Sequence, residues 1–213
     1  ARSVQHILKA GRHLLHLINE VLEIARIEAG HENFSLEPVG LASVVHEAVA
    51  LVRPLAQQWD VALHESAVPN DAYVQADRQR LVQVLLNLLS NAIKYNRRRG
   101  SVRISCVSTP DGRWTVRVED TGRGIARERV AELFTPFARL GAEQTDVEGT
   151  GLGLALSRRL CEAMGGALAL ERTDELGSAF RVDLVTARDP LHALEETGTH
   201  PVPATPHRDA TLL

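Results

Sequence analysis

Residues 81–96 read LVQVLLNLLSNAIKYN. As a helix, this stretch puts Leu81, Val84, Leu85, Leu88 and Ala92 on one apolar stripe at three- and four-residue spacing, and that stripe has to be buried. Asn87 and Asn91 lie one turn apart, with Lys94 and Tyr95 a turn later, so a second, polar stripe runs along a flank of the same helix. Two amides, an ammonium and a phenol on one helix edge suit a metal-bound phosphate and a flat ring. They equally suit the solvated border of an amphipathic helix, and the segment alone does not choose between the two.

The rest of the chain supplies the surfaces this helix needs. Residues 1–30 place Val4, Leu8, Gly11, Leu15, Ile18, Leu22 and Ala25 at alternating four- and three-residue steps, with Ile7, Leu14 and Val21 widening the seam. A seam this broad needs several helical neighbours, as in a four-helix bundle, which implies a partner helix upstream, a second copy of the chain, or both. Gly30 is the expected C-terminal cap. Residues 34–36 predict a short strand and residues 41–59 a helix bent or ended near Pro54. Residues 61–65 and 73–76 predict strands around a polar turn. Arg97, Arg98 and Arg99 suit the end of the central helix and Gly100 its cap. Residues 101–107 and 114–119 alternate across Pro110-Asp111-Gly112, which predicts a hairpin. A short helix is expected near residues 127–134 and a longer one over 152–164, ended by Gly165-Gly166. A second hairpin follows, over 167–171 and 179–185. From Thr186 onward the composition turns to Pro, Thr, His and Ala and predicts a mobile tail, in which His200 and His207 are too isolated to form a metal site. The pattern is α+β: a two-layer α/β sandwich preceded by one bundle helix.

Composition narrows the function classes. With a net charge of −3 there is no overall basic field, which argues against a nucleic-acid-binding protein. Cys106 and Cys161 lack metal-type spacing and read as ordinary buried thiols of a reducing compartment. No apolar run is long enough to span a bilayer, and no secretory signal opens the sequence. Because Ala1 already lies inside a helical pattern, the sequence reads as a piece of something longer, with any membrane or sensor segment upstream.

Two glycine loops carry the remaining signals. Asp120-Thr121-Gly122-Arg123-Gly124-Ile125 directly follows a strand, where two glycines let the backbone approach a planar ligand and the carboxylate can accept from an exocyclic amine. Asp-Thr-Gly also makes an ordinary turn. Gly149-Thr150-Gly151-Leu152-Gly153-Leu154 opens a helix and aims free N–H groups where phosphates bind. It is not a dinucleotide fingerprint, since Leu154 stands where a third glycine is needed, and it is not a P-loop, which requires Gly-Lys-Ser/Thr. Between the loops, residues 126–148 exceed the roughly 12–15 residues of an ordinary irregular connection. The run LFTPFARL, with Phe134 and Phe137, suits a lid that orders over a ligand.

Taken together these residues resemble one family closely. NLLSNAIKYN looks like the N box, DTGRGI the G1 box, LFTPFARL the F box and EGTGLGL the G2 box of sensor histidine kinases. These kinases belong to the wider group of ATPases, with a Bergerat-type ATP-binding fold, shared with gyrase, heat-shock chaperones and mismatch-repair proteins. The leading helix, AGRHLLHLINEVLEIARIEAG, is similar to the second helix of that family's dimerisation bundle. The resemblance implies a partial bundle over residues 1–30, a catalytic ATP-binding domain over 31–187 and a disordered tail over 188–213.

It also implies roles. Asn91, with Asn87, would hold Mg²⁺ through side-chain oxygens. Lys94 would neutralise phosphate charge, and Tyr95 would pack against adenine. Asp120 would accept from the adenine amino group, with Gly122, Gly124 and Ile125 letting the backbone close in. Gly149, Thr150, Gly151, Leu152 and Gly153 would form the phosphate loop, Arg139 would reach the γ-phosphate on lid closure, and Ser178 would assist adenine through a water. The implied partners are the receiver domain of a response regulator and a second copy of the protein, through the helical bundle. This portion would be cytoplasmic.

One departure matters. The family's phosphoacceptor histidine sits on the first bundle helix, usually followed by an acid and, four positions after that acid, a proline. His31-Glu32 lies in the linker and His46-Glu47 lacks the proline. His64-Glu65 has Pro69 at the right offset but falls in an expected strand. His6, His13 and His16 belong to the second bundle helix and read as solvated or interhelical. The acceptor is therefore expected before Ala1. Alternatives are another ATPase of this fold, a serine kinase or a conformational ATPase, a non-catalytic nucleotide-sensing scaffold, or a plain interaction module.

Overall fold

The computed structural model describes residues 2–138 and 149–190 of the 213-residue chain. In chain order these form α1 (Arg2–Glu28), β1 (Glu37–Gly40), α2 (Leu41–Gln58), β2 (Ala62–Glu65), β3 (Tyr73–Ala76) and α3 (Arg78–Lys94). The hairpin β4 (Ser101–Ser108) and β5 (Arg113–Asp120) comes next, then a 3₁₀ turn at Arg127–Glu132, α4 (Gly153–Ala163), β6 (Ala167–Asp174) and β7 (Gly177–Val185). Five strands form one sheet in the order β2-β4-β5-β7-β6, antiparallel except where β2 runs parallel to β4; β1 and β3 form a separate two-stranded sheet.

Period-two alternation along the sheet strands places Val102, Ile104 and Cys106 of β4, Val116 and Val118 of β5, and Val182 and Leu184 of β7 on the buried face. The helices cover that face. α2 contributes Val44, Val45 and Val49, and α4 contributes Leu156 and Leu160. α3 contributes Leu81, Val84, Leu85, Leu88 and Leu89, so the apolar stripe read from its sequence is the one that is buried. Among the described residues the opposite face carries no helix layer and is polar: Arg117 Nη2 donates to Glu171 Oε1 at 2.7 Å and Thr115 Oγ1 bonds Asp183 Oδ1 at 2.6 Å. This is the expected two-layer sandwich.

Several expectations shift. The first strand lies at Glu37–Gly40, just beyond residues 34–36. Pro54 sits inside α2 without ending it, and the carbonyl it leaves unbonded, that of residue 50, belongs to an exposed position where water can take the bond. The central helix starts at Arg78, capped by Asp77, whose side chain accepts from the amides of Gln79 and Arg80. It ends at Lys94, because Asn96 Nδ2 takes the Ala92 carbonyl at 3.1 Å and turns the chain. Gly100 is not its cap. The left-handed residue there is Arg99, at φ 57°. Gly30 and Gly165 do terminate α1 and α4, each with the five- and three-residue back-bonds of a Schellman ending. Thr186 bridges to Val74 and the Ala187 amide donates to the Tyr73 carbonyl, so the chain stays pinned to β3 past the onset of the Pro/Thr-rich composition. The tail from residue 191, like residues 139–148, lies outside the described residues.

α1 is only partly seated. Ile24 and Ile27 pack on the core, whereas Ile7, Leu14, Leu15 and Ile18 are exposed. No helix among the described residues is long and apolar enough to cross a membrane.

Candidate functional site

A cavity of about 910 Å³ opens between the polar edge of α3, the loop after β5 and the N-terminus of α4. Asn87, Asn91, Lys94, Tyr95, Asp120, Gly124, Ile125, Gly149, Thr150, Gly151, Gly153 and Ser178 all line it. Gly122 lies behind Asp120, and Leu152 packs into the interior. Arg139 lies outside the described residues.

The polar edge of α3 is a bonded series. Asn87 Nδ2 donates to Ser157 Oγ at 2.9 Å, and Asn91 Nδ2 donates to Asn87 Oδ1 at 3.3 Å. Both amides are thereby oriented, and among the described residues nothing donates to Asn91 Oδ1. Gly153 sits against this pair: a Cβ there would lie 2.4 Å from Asn87 Oδ1. Among the described residues Lys94 forms no ion pair, which leaves its ammonium to the cavity.

At the other end, Asp120 closes β5 with its Oδ1 accepting from the Gly122 amide at 2.7 Å and the Ser178 amide at 3.3 Å. Burial raises its carboxyl above the ordinary aspartate range, while the two amides pull the other way. Gly124 has φ +67°, and a Cβ there would fall 1.9 Å from the Asp174 carbonyl oxygen. The backbone therefore turns where side chains rarely follow, and its approach to β6 leaves no room for one. Thr173 ties the arrangement together, accepting from the Ile125 amide at 2.8 Å and sharing a 3.1 Å bond with Ser178 Oγ. The Arg123 guanidinium lies 5.6 Å from the centroid of the Tyr95 ring, within cation–π range.

The second glycine loop leads into α4, which has no side-chain cap and no acidic residue in its first turn. Thr150 Oγ1 engages the Leu152 amide at 3.1 Å. The amides that follow, opening the helix, are available to an anion. Gly151, at φ +74°, packs on the backbone of Phe137, whose amide donates to the Gly151 carbonyl at 3.0 Å. Of the two phenylalanines in the connecting segment only Phe134 is packed, with Arg158 5.0 Å from its ring centroid; Phe137 is exposed.

Sequence reasoning missed Ser157, Thr173, Arg123 and the residues of α1. Ser157 had a signal, a polar residue on the buried stripe of α4 beside Leu156 and Leu160. Thr173 had none, since its role depends on the β6–β7 hairpin folding over the first loop. His16, Asn19, Glu20 and Glu23 of α1 also line the cavity. They reach it because α1 is strapped down: Arg80 bonds both Glu23 and Glu32, and Arg159 Nη2 reaches Glu28 at 2.9 Å. The two cysteines are buried and unbonded, each thiol pushed up to about 12 by burial, as ordinary core residues.

Comparison with known proteins places this geometry. Residues 76–188 match the family described as histidine kinase-, DNA gyrase B-, and HSP90-like ATPase. The chain is 40% identical over 184 residues to the non-motile and phage-resistance protein of Caulobacter vibrioides, covering 84% of this chain and 22% of that protein. It is 33% identical over 188 residues to the cell-division control histidine kinase PdhS of Brucella anthropi, covering 84% of this chain and 18% of PdhS. The chain thus spans about a fifth of the length of these curated relatives. Among solved structures it resembles full-length ShkA in complex with AMPPNP, with a TM-score of 0.75 at 34% identity over 88% of this chain and 39% of that one. It also resembles the Acinetobacter baumannii histidine kinase AdeS, with a TM-score of 0.72 at 25% identity over 87% of this chain and 84% of that one. A match over more than half the sequence, on the same loops and helix edge that shape the cavity, means that the chain belongs to the histidine kinase-, DNA gyrase B- and HSP90-like ATPase family.

Proposed function

We propose that the cavity holds Mg-ATP and that this domain delivers the γ-phosphoryl group to a histidine on a bundle helix outside the sequence in hand, for relay to an aspartate of a response regulator. The observation that carries this reading is the pairing of an oriented amide edge, Asn87–Asn91, with an uncapped helix N-terminus across one cavity. That pairing supplies oxygen donors for a hard cation and N–H donors for phosphate oxygens side by side at the same cavity.

Adenine fits the Asp120 end. The exocyclic amine donates to the free lone pairs of the carboxylate, the Gly122 and Ser178 amides hold that carboxylate in place, and Tyr95 with Arg123 forms one wall. The triphosphate extends toward α4 and Lys94. The donor set suits Mg²⁺: Asn91 Oδ1 is unengaged among the described residues, and Asn87 holds the Asn91 amide in orientation from the preceding turn. When bound, the ion supplies charge neutralisation on the phosphates. The residues themselves bind, orient and screen: Lys94 faces developing charge, the amides of α4 hold oxygens, and the loop before α4 excludes water. Arg139 is proposed to reach the γ-phosphate from the closed lid. The exposed seam of α1 is proposed to complete a helical bundle with a second copy in the full-length protein.

Incubation with [γ-³²P]ATP tests the division of labour. The chain alone is expected to show no acid-labile label, and addition of a segment carrying the acceptor helix is expected to restore transfer. Labelling of a histidine in the isolated chain contradicts it.

A further inference from the structure

Glu20, on α1, is 8% exposed, and its Oε2 is the buried side-chain oxygen without a hydrogen-bond partner among the described residues. The other carboxyl oxygen, Oε1, lies 3.6 Å from His16 Nε2. An unsatisfied buried carboxylate oxygen is costly, so its position asks for a donor or a cation. Glu20 lines the same cavity as Asn87, Asn91 and Lys94. Its placement follows from its neighbours: one turn along α1, Glu23 accepts from Gln83 Nε2 at 3.2 Å, and Gln83 lies one turn before Asn87 on α3. Glu23 is unavailable to a ligand, because Arg80 and Gln83 hold it. Glu20 is the acid left over.

We propose that Glu20 is a ligand, contributed by α1, to the divalent cation that accompanies the nucleotide. This rests on the reading of the cavity as a Mg-ATP site. The amides of Asn87 and Asn91 are neutral, and a hard cation such as Mg²⁺ is held most firmly where a carboxylate joins them. An acid on α1 supplies that charge from outside the ATP-binding domain. Cation loading and the seating of α1 are then one event: the ion draws Glu20 to α3, and the Arg80 clamp on Glu23 and Glu32 keeps the acid within reach. A signal that displaces α1 lowers the affinity for the ion without altering the adenine end.

The test uses Mn²⁺ as the probe on the full chain loaded with saturating ATP, with free Mn²⁺ read by electron paramagnetic resonance. Calorimetry with ATP in EDTA runs in parallel. Glu20→Gln is expected to weaken Mn²⁺ binding about tenfold while metal-free ATP affinity stays within about twofold. Arg80→Ala, which leaves Glu20 in place but frees α1, is expected to weaken Mn²⁺ in the same sense and carries the test should Glu20→Gln fail to fold. Equal Mn²⁺ affinity in the parent and both variants overturns the proposal. So does a Glu20→Gln variant that binds ATP more tightly with and without metal, since that is the signature of an acid that only repels phosphate. A parent chain that binds no ATP in either arm instead refutes the nucleotide site itself, a distinct outcome.

Discussion

Asp120 carries opposed demands. Its burial raises the carboxyl, so the folded state disfavours the ionised form, while the proposed adenine contact needs an acceptor oxygen facing the cavity. A carboxyl raised in the folded state contributes most to stability below its unfolded value and loses that contribution as pH rises through the folded value. Asp120→Asn is therefore expected to melt no lower than the parent at neutral pH, because an amide oxygen still accepts from Gly122 and Ser178, yet to bind ATP at least tenfold more weakly, since one buried hydrogen bond to a charged group contributes about 1.5–3 kcal/mol. In the parent, ATP affinity should fall on acidification with a midpoint above the ordinary value of 3.8. Calorimetry across pH checks both. Asn91→Ala makes the complementary case: Mg-ATP affinity is expected to fall at least about tenfold with the nucleotide-free melting point nearly unchanged, because Asn91 lies at the cavity edge and not in the core. Residues whose shared place at the cavity follows from spacing along one helix, Asn87, Asn91, Lys94 and Tyr95, were legible in the sequence. Those whose roles depend on a distant segment, Thr173 and Glu20, were not, since nothing local marks their partners.

At the scale of elements, the glycines of the two loops divide into those the fold requires and those it tolerates. Gly124 combines φ +67° with a backbone oxygen 1.9 Å from a would-be Cβ, whereas a Cβ at Gly149 meets nothing nearer than the Tyr95 hydroxyl at 3.6 Å. Gly124→Ala is expected to destabilise the chain by more than about 1 kcal/mol. Gly149→Ala is expected to leave the melting point within experimental scatter, and thermal denaturation of the pair checks the contrast. The central helix shows why element boundaries shift even when the element is read correctly. Its apolar stripe was visible at residues 81–92, but its start was set by Asp77 and its end by Asn96, side chains that bond the backbone. The hairpins β4–β5 and β6–β7 were legible because turn chemistry and alternation agree locally. The parallel pairing of β2 with β4 was not, because it joins segments separated by β3 and α3 and leaves no turn signature between them. Leu85→Ala, which removes a fully buried side chain from the helix–sheet interface, should cost about 2–5 kcal/mol in chemical denaturation.

At the scale of the molecule, one polar helix edge, two glycine loops and the first helix converge on a single cavity, and the family match covers the segment that builds three of those four. The fold class was legible because the period of the central helix and the alternation of the hairpin strands are strong, whereas LFTPFARL lies in an irregular connection and ends at residues outside the described ones. The seating of α1 was legible only as an unpartnered apolar seam; the Arg80 and Arg159 clamps that bring its acids to the cavity are long-range ion pairs with no signature in periodicity. The account rests on the cavity being a magnesium-dependent nucleotide site. Calorimetric titration of the folded chain with ATP, with and without Mg²⁺, tests this most directly. Saturable one-to-one binding that tightens when Mg²⁺ is present is the predicted result, and a folded chain that takes up no ATP in either condition contradicts the account.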